Sequence, residues 1–260
     1  MRGRKMQPKP YVLSSNHWKT VKATDYQVVI LPWGATEAHN YHLPYSTDNV
    51  QCSYIAEKAA EQIWREGYRP IVLPCVPFGV QSAQLGVKFN INMRPSTQFL
   101  VLKDIVQSLQ AQGLTKLVIL NGHGGNHFVQ MLRELYLDSP LRLFTLTWYE
   151  VVDAKKFFDE PGDHGGEMET SVMMQIAPEL VLPLSEAGSG RAKRVKVPSL
   201  RGGWAWTQRG WLGEVTEDTG AGNPAKADAK KGEAFLAEVI AKFSVLLKEI
   251  ADADLKNLYE

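Results

Sequence analysis

Three short stretches hold most of the residues whose types and spacing suit metal-assisted chemistry. The first, Glu37-Ala38-His39-Asn40-Tyr41-His42-Leu43-Pro44-Tyr45-Ser46-Thr47-Asp48, contains four potential metal ligands: Glu37, His39, His42 and Asp48. In an extended segment alternate side chains share a face, so Glu37 and His39 converge on one side while Ala38 and Asn40 point elsewhere. Asp48 returns from the far end of the loop; alone it reads as a helix cap, within the cluster as a ligand. The second stretch is Asn121-Gly122-His123-Gly124-Gly125-Asn126. Its glycines permit a sharp turn and close backbone approach, with a histidine held inside the turn. Such a turn also suits a phosphate cradle, but the Gly-Lys-Ser/Thr ending of a P-loop and the GxGxxG spacing are both missing. The third is Asp163-His164-Gly165-Gly166-Glu167-Met168-Glu169-Thr170-Ser171. Residues two apart on a helix diverge by about 200°, so one of Glu167 and Glu169 faces a site while the other serves the helix start. His164 is a candidate proton carrier, with Asp163 beside it in sequence.

Together the oxygen and imidazole ligands suit zinc or manganese better than copper or an iron–sulfur cluster. Five or more ligands exceed one tetrahedral zinc. A two-metal centre is the economical arrangement, with a carboxylate bridging ions roughly 3.5–4 Å apart and a shared water made nucleophilic near neutral pH. The chemistry expected of it is hydrolysis.

The elements between these stretches set where such residues sit. Short apolar runs rich in β-branched residues alternate with helical periods, the sign of βα units and a mostly parallel sheet. Strands are expected at 27–32, 70–73, 116–120 and 142–148, the last dense enough in apolar residues for burial on both faces. Helices are expected from Thr47 until Gly67 stops the first, from Pro95 until Gly113, and after the 121–126 loop through about Leu137. Phe235, Leu236, Val239, Ile240, Phe243, Leu246, Leu247 and Ile250 form a wide apolar stripe on a last helix. Each ligand-rich stretch follows a strand or opens a helix. In open α/β sheets ligands gather beyond the carboxyl ends of strands. Between 187 and 223 the pattern dissolves into Gly, Arg and three tryptophans, Trp204, Trp206 and Trp211. This segment is either a subunit contact or lid over a pocket, or a hairpin packed on its own body.

With 44% hydrophobic and 22% charged residues, the composition is that of a globular protein and excludes disorder and collagen-like repeats. A net charge of +1 is too balanced for the long-range field of a nucleic-acid or anionic-membrane binder, so neither partner is expected. Cys52 and Cys75 are too few for a disulfide scaffold and lack CxxC spacing, which points to a reducing compartment. The basic N-terminus lacks the apolar stretch of a secretory signal, and the longest apolar runs, such as 28–31, fall far short of a membrane span. The expectation is a soluble, cytoplasmic protein of one domain over residues 1–260.

These motifs resemble those of the creatininase family of creatinine amidohydrolases. The family's Glu-x-His, His-Leu-Pro and Asp match Glu37, His39, His42-Leu43-Pro44 and Asp48. Its Asn-Gly-His turn matches Asn121-Gly122-His123, and its His-Gly/Ala-Gly-x-x-Glu-Thr-Ser segment matches 164–171. Asn223-Pro224-Ala225-Lys226-Ala227 and Lys231-Gly232-Glu233 also look like the family's C-terminal stretch. The resemblance implies a three-layer α/β/α, creatininase-like fold with a mostly parallel sheet. It implies two divalent ions, Zn²⁺ and/or Mn²⁺, held by Glu37, His39, Asp48 and His123 with Asp48 bridging. It further implies a small-molecule amide substrate and a homo-oligomer, a hexamer.

Departures from the family pattern shape the remaining expectations. Creatininase has a glutamate two residues after the turn histidine, where this chain has Gly125, and an apolar residue where this chain has Glu167. A carboxylate exchanged between loops would keep the charge and coordination count, so Glu167 rather than Glu169 is the expected fifth ligand. His164 and Asp163 are the expected catalytic residues, and Ser82 corresponds to a substrate-contacting serine. The Trp-Asp pair that embraces creatinine is replaced by Glu160 and Pro161, and a Phe-Pro-Gly-Thr segment by Asn90-Ile91-Asn92-Met93-Arg94-Pro95-Ser96. Arg94 hints at an anionic substrate group, against the plain reading of a solvated loop arginine. The expected activity is hydrolysis of a non-peptide C–N bond in a cyclic amide or formamide, with creatinine itself disfavoured. The family's formamidopyrimidine deformylase and peptide-trimming peptidase are the alternatives. From other classes stand a catalytically silent metal-binding or assembly protein, which has no need of His164, and a nucleotide binder using the Gly122 turn.

Overall fold

The computed structural model describes residues 8–259. Residues 1–7 of the basic N-terminal segment therefore lie outside the described residues. Four strands, β1 (Val28–Trp33), β2 (Pro70–Val72), β3 (Lys116–Asn121) and β4 (Arg142–Thr147), form one all-parallel sheet in the order β2-β1-β3-β4. Among the described residues six α-helices accompany them: α1 (Trp18–Lys22), α2 (Thr47–Arg65), α3 (Pro95–Ala111), α4 (Phe128–Leu135), α5 (Glu167–Ile176) and α6 (Ala229–Asp252). Alternation along the central strands sorts the core into two layers. Val28, Ile30, Val118 and Leu120 pack with α2, α5 and α6, while Val29, Leu31, Leu117 and Ile119 pack with α3 and α4. This is a three-layer α/β/α arrangement.

Local chemistry explains the boundaries. Pro95 opens α3 at the position where its missing N–H costs nothing. Asp228 caps α6 by accepting from the Lys230 and Lys231 backbone N–H groups. The predicted stripe of α6 is its core face, with Phe235, Val239, Phe243 and Leu247 buried.

Two expectations are corrected. The strand at 142–148 is not buried on both faces: β4 is half-buried throughout, because it pairs only with β3 and leaves its other side open at the sheet margin. The helix expected after the 121–126 loop through about Leu137 is shorter, running over Phe128–Leu135 after His127 with its non-helical ψ of 77°.

The strand order matters for the site. From β1 the chain moves outward to β2, then returns across β1 to place β3 on its other side, so the reversal of direction falls between β1 and β3. Their last paired residues are Trp33 and Asn121. The Glu37–His39 loop and the His123 turn leave the sheet side by side from that crevice.

Candidate metal centre

Asp48 lies in the first turn of α2, fully buried, and its two carboxylate oxygens face opposite ways. Oδ1 is 2.9 Å from His39 Nε2; Oδ2 is 3.2 Å from His123 Nδ1. Glu37 Oε1 joins the second group, 2.8 Å from His123 Nδ1, and Glu169 Oε1 joins the first, 3.7 Å from His39 Nε2. Three sets offer ligand atoms within 4.8 Å of one another: Glu37-His39-His164, and the pair Glu37-Asp48-His123 and His39-Asp48-Glu169. The pair shares Asp48.

The imidazoles are held as metal ligands require. His39 Nδ1 donates to the Glu37 backbone carbonyl at 3.2 Å, and His123 Nε2 donates to the Val80 carbonyl at 2.9 Å. Each bond commits one ring nitrogen as a donor and turns the other into the cluster, where it becomes a ligand once its proton is displaced. Gln84 donates to Glu37 Oε2, and Asn90 in turn donates to Gln84 Oε1 at 2.7 Å, so Glu37 is oriented from behind. Gln84 and Asn90 had no signal as site residues in the sequence beyond lying on a loop after β2.

Electrostatics make the same point. Three buried carboxylates, Glu37, Asp48 and Glu169, meet within a few ångströms of one another. Burial lowers the His39 pKa, but the Asp48, Glu169 and Glu37 carboxylates outweigh it and raise it to about 10. His123 is raised in the same way by Glu37 and Asp48 against its burial. Burial pushes Glu169 upward, only partly offset by His39 and His164. Yet Glu37 Oε1, His39 Nε2 and Asp48 Oδ2 have no hydrogen-bond partner among the described residues. Buried acids and imidazoles crowded this closely, with inward atoms that lack a well-aligned partner, fit a site built for cations.

Around the cluster opens a cleft of about 1030 Å³. His164 sits in its wall, its ring stacked on His39 at 4.0 Å between centroids. Its Nε2 donates to the Ala38 carbonyl at 2.8 Å, which leaves Nδ1 free and 3.9 Å from Glu37 Oε1. Trp211 stands edge-on to His164 at 5.6 Å, held by its indole N–H on the Thr219 carbonyl and by its backbone N–H on the Ala83 carbonyl. Tyr149 also lines the cleft; burial, then the Glu169 charge, raises its pKa, so its hydroxyl stays protonated.

A family model described as creatinine amidohydrolase matches residues 14–247. The chain belongs to the creatininase family. Among solved structures it resembles a Bacteroides fragilis protein provisionally named creatinine amidohydrolase, at 45% identity and TM-score 0.91 over 98% of this chain and 100% of that one. A mutant creatininase of Zn-Zn type shares the fold, with TM-score 0.77 at 22% identity over 94% of this chain and 100% of the other. A Mycolicibacterium smegmatis relative named mycofactocin precursor peptide peptidase is 27% identical over 82% of this chain and 81% of its own length. The chain is accordingly a creatininase-family, metal-dependent amidohydrolase.

Within this creatininase-family site, the structure brings Glu37, His39, Asp48, His123 and His164 together and leaves Glu167 out. The expectation for Glu167 is corrected. Its Oε1 is 2.6 Å from Lys231 Nζ and its Oε2 accepts from the Glu160 backbone N–H at 2.8 Å. Glu167 is the first residue of α5, and the rotation of about 200° over two residues sends Glu169 inward instead. His42, the fourth potential ligand of the first loop, faces away and meets Thr170 Oγ1 at 2.9 Å; burial, then His39, lowers its pKa to about 4. Asp163 and Ser82 line the cleft at exposed positions, and Asp163 makes no side-chain hydrogen bond to His164 among the described residues. Arg94 precedes α3 and is not part of the cleft wall, whereas Arg209 is. The Trp-rich segment borders the cleft through Trp206, Arg209, Trp211 and Glu214. Gly125, where creatininase carries its glutamate, admits no side chain: a Cβ there would lie 1.9 Å from the Val80 carbonyl oxygen.

Proposed function

We propose that the chain hydrolyses a non-peptide C–N bond, in a cyclic amide or formamide, with two divalent ions in the paired sites. The observation that carries this reading is the division of Asp48, one oxygen toward each three-residue set, with the ring nitrogens turned inward by their carbonyl bonds. Glu37, Asp48 and His123 would hold one ion, and His39, Asp48 and Glu169 the other. Zinc and manganese both accept this donor set. Bound there, such ions supply Lewis acidity toward a carbonyl and lower the pKa of water toward neutrality. His164 carries a proton at Nδ1, toward the leaving nitrogen, because Nε2 is committed to the Ala38 carbonyl. Tyr149 offers a neutral hydroxyl donor. Trp211 and its neighbours in 206–214 line one side of the cleft. Ser82 and Asp163 lie where they would meet a substrate.

Creatinine itself is not the substrate in this reading. Its Trp-Asp clamp is missing, and pockets of roughly 300–1,000 Å³ serve drug-sized ligands, so a cleft of about 1030 Å³ is larger than a small ring amide needs. That size also favours a second reading, the trimming of a modified peptide. Creatinine, formamides and short peptides assayed with the metal-loaded protein separate the possibilities. Turnover of formamides or cyclic amides supports the first reading, peptide cleavage alone the second, and no turnover despite two bound ions overturns both. We also infer a cytoplasmic homo-oligomer, for which the free cysteines, the open margin of β4 and the exposed Trp204 give support. Analytical ultracentrifugation tests its size. No helix among the described residues is long and apolar enough to cross a membrane.

A further inference from the structure

The metal cleft adjoins a second cavity, of about 600 Å³, beside α3 and α4. Val80, Pro95, Gly125 and His127 line both spaces, so the two adjoin across these residues. Their chemistry differs. The cleft carries buried carboxylates and imidazoles, whereas beyond the shared wall the side chamber presents Phe99, Leu100 and Met131. Gly125 sits at the junction. A Cβ there would meet Val80 O at 1.9 Å and His123 Nε2 at 2.6 Å, so a side chain at this position would force apart the wall that the two cavities share.

On the reading of the cleft as an amidohydrolase site, we propose that the side chamber is a subsite for an apolar arm of the substrate. The enzyme then takes amides that carry an alkyl or aryl group beside the scissile bond, and small polar amides turn over poorly. The chamber's place beside the cleft selects this occupant, because only Val80, Pro95, Gly125 and His127 stand between it and the reacting amide, and a short arm on that amide reaches across them. Burial of apolar surface supplies the binding, at about fourfold in affinity for each methylene fully removed from water.

Hydroxamates test this without a known substrate. Their head chelates metal, and the tail is lengthened from methyl to phenylbutyl; binding to the metal-loaded protein is measured by titration calorimetry. The proposal expects affinity to rise by about threefold to fourfold per methylene once the tail enters the chamber. The ratio of phenylbutyl to methyl affinity should then collapse by about tenfold or more in Gln130→Trp, which fills the chamber, and in Leu100→Asp, which places a charge in it. Both positions are exposed, so the fold tolerates the changes. Affinity independent of tail length, or a gain that survives both variants, overturns the subsite while leaving the metal site standing. Failure of acetohydroxamate itself to bind removes the two-metal reading and the subsite with it.

Discussion

Glu167→Gln and Glu169→Gln are nearly isosteric changes two positions apart on one helix, and the structure assigns them opposite consequences. Glu167 is fully buried, with one oxygen on Lys231 at 2.6 Å and the other on the Glu160 N–H at 2.8 Å. Glutamine keeps the volume and an acceptor for Glu160 but loses the charge facing Lys231. Lys231 is 32% exposed and keeps Asp159 at 3.1 Å, so the full cost of orphaning a buried charge does not apply. About 1–3 kcal/mol remains. In a chain of this size that lowers Tm by about 2–12 °C. Metal content should stay at two ions per chain. Glu169→Gln removes a carboxylate that faces His39 Nε2 at 3.7 Å. Even groups that act only from behind a ligand are worth about 10–100-fold in metal affinity, or roughly 1.4–2.7 kcal/mol, so losing a ligand costs at least that. Because burial already raises the Glu169 pKa, neutralising it relieves a penalty in the metal-free protein, which should melt no lower than the parent. Elemental analysis after gel filtration, together with thermal melts with and without chelator, reads both variants. If Glu167→Gln lost an ion and Glu169→Gln kept both, the assignment of the fifth ligand would be refuted.

His164→Asn should lower kcat by about 10²–10⁴ while both ions remain, as steady-state kinetics beside elemental analysis will show. Gln84→Ala removes the donor on Glu37 Oε2 and should weaken one ion by about 10–100-fold, read by competition with a fluorescent chelator. Chelation should make stability newly sensitive to alkali. In the metal-free protein His39 titrates at about 10 rather than near 6.5, so its stabilising charge is fully present below pH 6.5 and is lost as pH rises through 10. The metal-loaded protein, whose imidazoles are already deprotonated, should lack that loss. Melts of both forms between pH 6 and 10 measure the difference.

What the sequence makes legible here is local. Alternation, helical period and glycine punctuation locate β1, β3, α2 and α6, and residue type with spacing locates the three ligand-bearing loops. Residues that act across the fold were harder to see. Glu167 and Glu169 are equivalent by composition, and only the phase of α5 against Asp48 and Lys231 separates them. Gln84 orients Glu37 from 47 positions away, and an uncharged amide on a loop carries no signature of that task. The half-buried state of β4 depends on its having one neighbour in the sheet, a property of strand order that apolar density does not encode. Trp206 and Trp211 border the cleft because the chain between α5 and α6 folds back over His164, a contact with no periodicity to announce it.

Anomalous diffraction from crystals of the metal-loaded protein, collected on either side of the zinc and manganese absorption edges, addresses the shared carboxylate directly. Two peaks about 3.5–4 Å apart are predicted, one within reach of Glu37, Asp48 and His123 and the other of His39, Asp48 and Glu169. A single peak, none at all, or an ion bound to Glu167 would contradict the account.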